Sequence, residues 1–178
     1  MSSTRDGVSS RRDADIASAV DALRRIVRTL RLAATGVEKT TGLSPAQLFV
    51  LQRAAEAPGS SLTELADQTL TDRTSVAAIV ERLATRGLVE RTRSTADRRR
   101  VDVVATSGGV ALLGNAPHAP TVTLIDALRS VDDGDLRSIS EGLQRLEQAM
   151  GLANEPAGLF FEDTPAPDAA LAGDAAGD

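Results

Sequence analysis

The hydrophobic period of this 178-residue chain changes at Gly87. Upstream, apolar residues recur three and four positions apart. Immediately downstream, "LVERTR" (88–93) and "RVDVVAT" (100–106) alternate at a period of two. A helical pattern cannot be laid down as a strand, nor the reverse. Any fold must therefore set a block of helices against a short β-hairpin. Ser94 to Arg98 separate the two alternating runs, and Val101, Val103 and Ala105 share one face of the second.

The helices upstream are punctuated by their caps. In "SPAQLFVLQRAAEA" (44–57), Ser44 is the N-cap, Pro45 takes the first helical position and Gln47 reaches back, which is a capping box. Pro58-Gly59 stops that helix. "SLTELADQ" repeats the device with Ser61 and Glu64. "TDRTSVAAIVERLATRG" gives a third short helix capped by Thr71 or Asp72, with Val76, Ile79, Val80 and Leu83 facing inward and Gly87 as its C-terminal stop.

A long helix precedes this block. Ile16, Val20, Leu23, Val27, Leu30, Ala34 and Val37 form a seam with alternating spacings of four and three. Downstream, Val110, Leu112 and Leu113 open a helix that "NAPHAP" (115–120) interrupts, and Leu124, Ile125 and Leu128 resume it. "VDDGD" then starts a last helix with a stripe of Leu136, Ile139, Leu143, Leu146 and Met150. Aromatic residues are only 2% of the chain, so the core is built from aliphatic side chains.

Two short helices joined by a brief turn, a third helix and a hairpin make a winged helix-turn-helix. The expected fold class is mainly α with a small β-hairpin wing, the winged core lying between long N- and C-terminal helices. An α-helix fits the major groove of B-DNA and offers its N-terminal residues to base edges. The inward stripe of the helix after the turn leaves Thr74, Ser75, Ala78 and Arg82 on the opposite face, with Arg73 at its start. Charge is segregated in the same sense. Residues 72–100 carry eight basic groups against four acidic, and residues 101–178 carry three against thirteen, in a chain of net charge −5. Arg98, Arg99 and Arg100 stand beside Asp97 at the hairpin tip. Arginine in a narrow minor groove meets enhanced negative potential, and a neighbouring carboxylate can orient the guanidinium.

Other chemistries are poorly supplied. With no Cys and a single His there is no disulfide, no thiolate zinc site and no thiol switch. No nucleophile–base constellation or phosphate loop appears, so an enzyme is not expected, nor any cofactor or metal. No apolar run reaches membrane-spanning length and the charged N-terminus lacks a signal's apolar stretch. A soluble, cytoplasmic protein is therefore expected.

The stretch from "LSPAQLFVLQ" through "RRRVDVVAT" resembles the MarR family of bacterial transcription regulators over about residues 43–109. Its most specific part is the wing signature, roughly D-x-R-x5-L-T-x-x-G, matched by Asp97, Arg99, Thr106 and Gly109, with Ala105 where Leu is usual. The resemblance implies that Arg99 enters the minor groove with Asp97 steadying it, and that Thr74 and Ser75 lie at the major groove. It implies a homodimeric repressor on a near-palindromic operator of double-stranded DNA, paired through the long flanking helices. Their apolar seams, wider than a small core needs, agree. It further implies release by a small aromatic or phenolic effector. His118, between two prolines, is the one weak ligand candidate, since a surface or helix-end place is the commoner fate of such a residue. Ala77 and Ala78 stand where the family often has polar or basic side chains, and the turn before them lacks the glycine many members carry.

The expected organisation is a flexible N-terminus (1–12), dimerisation helices (13–42 and 107–150), a DNA-binding winged helix-turn-helix (43–106) and an acidic, largely disordered tail (151–178). The competing reading is a winged-helix module whose hairpin binds protein instead of DNA. Three successive arginines beside the wing signature favour DNA.

Overall fold

The computed structural model describes residues 3–93, 100–155 and 157–162. In chain order the elements are α1 (Ser3–Thr41), α2 (Pro45–Glu56), β1 (Ser60–Ser61), α3 (Leu62–Thr69), α4 (Arg73–Thr85), β2 (Val89–Arg93), β3 (Val101–Ala105), α5 (Ser107–Leu113), α6 (Pro120–Ser130) and α7 (Asp133–Ala149). Helix α2 is the hub. Pro45 through Leu51 and Ala54 are all buried, and α3, α4, α5, α6, α1 and β3 pack around it.

Both capping boxes form. Ser44 and Gln47 exchange side-chain-to-backbone hydrogen bonds at the start of α2, and Ser61 and Glu64 do so at α3. The predicted inward stripe of α4 is fully buried: Val76, Ile79, Val80 and Leu83 each have 0% exposure. They meet Leu48, Phe49 and Leu51 of α2, Leu65 of α3 and Val103 of β3 in one cluster. Emptying any such site costs roughly 2–5 kcal/mol, because the void collapses only in part.

The hairpin is part of a three-stranded antiparallel sheet of order β1-β3-β2. Val89 pairs with Ala105 and Arg93 with Val101, while Ser60 and Ser61 add a two-residue edge opposite Val103 and Asp102. That edge strand is too short to leave a periodic trace. A second constraint locks the sheet to α5. The hydroxyl of Thr106 donates to the Gly87 carbonyl at 2.8 Å and accepts the Gly109 N–H at 3.0 Å, capping that helix. At Gly109 a Cβ would stand 2.2 Å from the Leu88 carbonyl oxygen, so only glycine lets α5 approach the strand this closely. The T-x-x-G part of the wing signature is thus a clasp between α5 and Gly87-Leu88, the two residues that lead into β2.

Three expectations about the flanks change. Helix α1 begins at Ser3 and runs through much of the segment expected to be a flexible lead-in. Adding turns to a helix already nucleated downstream is cheap, and residues 3–15 contain no proline. The proline-broken helix is two separate helices, α5 and α6, because Pro120 starts a new one at its first position instead of kinking the old. The tail returns to the protein after α7: Leu159 is 8% exposed and belongs to the core cluster. Residues 163–178, the rest of that acidic segment, lie outside the described residues.

The long helices end differently from the core. Val37 and Ala34 of α1 are buried, but Ile16, Val20, Leu23 and Val27 further up the same seam are exposed. Helix α7 has no buried residue at all, although its apolar stripe is complete.

Candidate nucleic-acid interface

Helices α3 and α4 meet through a turn whose sharpness is set by Leu70. Its φ of 54° puts a non-glycine residue in the left-handed region, and its N–H closes the end of α3 on the carbonyls of Ala66 and Asp67. The side chain is 72% exposed, standing out beside the start of α4.

Asp72 then caps α4. Its Oδ1 accepts the N–H groups of Thr74 (2.8 Å) and Ser75 (2.9 Å), and its Oδ2 accepts the Ser75 hydroxyl at 2.7 Å. Those bonds, the Ser75 backbone first, hold the Asp72 carboxyl below its usual value. The cap decides which predicted residues are available to a ligand. Arg73, Thr74 and Ala78 are placed with Ser75 on this turn and the next, and Arg73, Thr74 and Ala78 are all exposed. Ser75 is half-buried, and its hydroxyl is already spent on Asp72. Arg82, expected on the outward face, is half-buried with Nη1 out of solvent and unpartnered among the described residues. The exposed residues among those predicted to meet DNA therefore lie in the first turn and a half of α4, the part that a major groove admits most deeply.

The wing flanks this helix. Glu90, Arg91, Thr92 and Arg93 of β2 are exposed, and Arg91 reaches back to pair with Glu81 on α4. Asp97, Arg98 and Arg99 lie outside the described residues. Arg100, grouped with them in the sequence, sits at the wing's base. Its Nε donates to Asp102 (2.7 Å), Nη1 to Glu64 (3.2 Å), and Nη2 to Glu64 and to the Gly59 carbonyl (both 2.9 Å). This placement has a plain cause: two carboxylates and a carbonyl converge at the start of β3, and the guanidinium fork satisfies all three. Sequence reasoning read Glu64 only as a capping residue. A partner 36 positions away leaves no local signal.

His118 is exposed in the link between α5 and α6. Among the described residues no cluster of His, Cys, Asp or Glu could hold a metal ion, and no helix is long and apolar enough to cross a membrane.

Residues 43–101, which hold α2, β1, α3, α4 and β2, match the family model of the MarR family. This segment is a MarR-family domain. The MarR family comprises transcriptional regulators that are not enzymes. A Thauera aromatica protein named as a putative transcriptional regulatory protein for the hcr operon is 33% identical over 100 residues, 56% of either chain. The chain thus matches little more than half of that relative's length. Among solved structures, a probable transcriptional regulator from Pseudomonas aeruginosa is 28% identical with a TM-score of 0.50, over 70% of this chain and 93% of its own. BldR from Sulfolobus solfataricus shares the fold at 23% identity and a TM-score of 0.50, over 76% and 96% of the two chains.

Proposed function

We propose that this protein is a homodimeric, sequence-specific regulator of transcription that binds double-stranded DNA through α4 and the wing and acts as a repressor. The observation that carries the reading is the open first turn of α4, with Arg73 and Thr74 exposed beside a wing rich in arginine. Nothing in the core uses these groups. Arg98 and Arg99 supply the minor-groove contact in this reading, with Asp97 orienting Arg99. Arg73 serves the phosphates, and Thr74 reads a base edge.

Pairing follows from the seams left uncovered on α1 and α7. Apolar stripes of this length on a single chain are costly in water, and a second copy offers the matching surface. A two-fold pair of winged helices reads a near-palindrome with half-sites about 10 bp apart, one helical turn. An effector fits the same proposal. A small cleft between α2, α3 and α6 sets Arg53 and Arg129 beside Phe49, and the Arg53 guanidinium lies 5.4 Å from the Phe49 ring. Arg53 is already paired with Glu56 at 2.9 Å and the cleft, which Asp126 also lines, holds only about 20 Å³, so an aromatic anion would enter only once the cleft opens.

The test is selection of duplexes from a random-sequence pool by the wild-type chain, followed by binding titrations at several salt concentrations. Tight binding to a selected duplex, falling steeply with salt, is expected. Arg99→Ala is expected to lose most of that affinity while its melting temperature and mass are unchanged. Equal weak binding to selected and scrambled duplexes would transfer the wing to a protein partner.

A further inference from the structure

Resting on the DNA-binding reading above, we infer that Arg100 is a positioning residue: the Arg100–Glu64 pair fixes the angle between wing and helix-turn-helix and makes no contact with DNA. The wing is tied to the helical block weakly on this side. The β1–β3 ladder is two residues long. On the other side Arg91 already ties β2 to α4 through Glu81, so what remains to be fixed is the foot of β3. Arg100 stands at that foot, on the residue before β3, and its guanidinium joins three pieces. Asp102 belongs to β3, Gly59 precedes β1, and Glu64 sits in the first turn of α3.

Glu64 makes the tie stiff. Its Oε2 also accepts the Ser61 N–H at 2.7 Å, within the capping box, so the carboxylate cannot move without loosening the start of α3. Helix α3 packs on α4, and the fork therefore refers the wing to the helix that carries Arg73 and Thr74. The two-pronged contact of Nη1 and Nη2 with the two Glu64 oxygens fixes direction as well as distance, which an ammonium could not do.

The same geometry argues against a phosphate contact. Four of the five N–H donors of Arg100 are engaged, one on Nε, one on Nη1 and both on Nη2, which leaves a single Nη1–H. Two carboxylates flank the one cation, so the group as a whole is acidic and repels a phosphate.

The test is a double-mutant cycle of Glu64→Gln and Arg100→Gln, read as the ratio of affinities for a duplex selected by the wild-type chain and a scrambled duplex. Gln at position 64 can keep the capping box, as Gln47 does on α2, and thermal melts establish that each variant is folded at the assay temperature. Each single variant is expected to lower the ratio about tenfold and the double variant no further, the mark of two residues acting as one device. The slope of log affinity against log salt is expected to stay at its wild-type value. A phosphate-binding Arg100 gives the opposite pattern: a slope smaller by about one for Arg100→Gln, and tighter binding for Glu64→Gln, which frees the guanidinium. That result overturns the assignment. Arg100→Lys keeps the charge and loses the fork, and wild-type discrimination in that variant overturns it equally. If the wild-type chain selects no duplex, the DNA reading itself fails and this inference falls with it.

Discussion

The winged core and the two long helices carry the same kind of apolar pattern and put it to different ends. In α4 the stripe of Val76, Ile79, Val80 and Leu83 is wholly buried within the chain. In α7 the stripe of Leu136, Ile139, Leu143 and Leu146 is as regular, yet each of these residues is between 38% and 52% exposed. Helix α1 contains both outcomes, with Val37 at 0% exposure and Ile16 at 53%. Periodicity states that a face must be covered. What covers it depends on whether the chain has other elements within reach. Here α2 supplies them for α4, and none of the described residues does so for α7.

The largest expected effect lies on the core side of this comparison. Gly109→Ala forces a Cβ against the Leu88 carbonyl and is expected to cost about 3 kcal/mol, the upper end of ordinary overpacking. Chemical denaturation reads it directly, and a loss below about 1 kcal/mol would mean the clasp between Leu88 and α5 is loose. On the other side, Leu143→Asp with Leu146→Asp touches no contact of the core. The pair is expected to abolish self-association while the winged core still unfolds cooperatively, as sedimentation and circular dichroism would show. Loss of the fold itself would mean the α7 stripe is covered within the chain.

Smaller effects probe how the core's helices are started. Asp72→Ala removes three hydrogen bonds at the N-cap of α4 and is expected to cost about 1 kcal/mol. The same caps make stability depend on acid. Glu64, Asp72 and Asp132 are each held below their ordinary values, by bonds from Ser61, from Ser75 and from Asp135 in the first place. A depressed carboxylate stabilises the fold fully above its unfolded value and loses that contribution as pH falls through the folded one. The melting temperature is therefore expected to hold above about pH 5 and to decline below the ordinary values of 4.5 for Glu64 and 3.8 for the two aspartates. Asp72→Asn, which keeps a capping oxygen but takes up no proton, is expected to make that decline shallower. An unchanged pH profile would remove the Asp72 cap from the account.

The smallest shift is at Leu70. Glycine there relieves the left-handed backbone but loses more entropy on folding, so Leu70→Gly is expected to move stability by less than about 0.5 kcal/mol. A larger loss would show that the exposed leucine packs on something.

Much of the winged core was legible because its signals are local. The two capping boxes, the period change at Gly87 and the buried stripe of α4 each sit within a few residues of the feature they specify. The site was less so. Arg73, Thr74 and Ala78 are on the exposed face where the pattern puts them, but the bond that occupies Ser75 and the half-burial of Arg82 depend on neighbours that the helical period does not name. Arg100 looked like its two neighbours in a run of three arginines. Only the fold brings Glu64, Asp102 and the Gly59 carbonyl to it. The start of α1 at Ser3 was missed because polar, weakly patterned sequence carries no periodic signal, and the return of Leu159 because the apolar run Leu159-Phe160-Phe161 is too short to show a period.

Sedimentation equilibrium of the wild-type chain, alone and with a selected duplex, tests most directly the claim that one region reads DNA while the other pairs copies. The expected result is twice the mass of the chain in both cases, with two chains on each duplex. A monomer that binds DNA one chain at a time would contradict it.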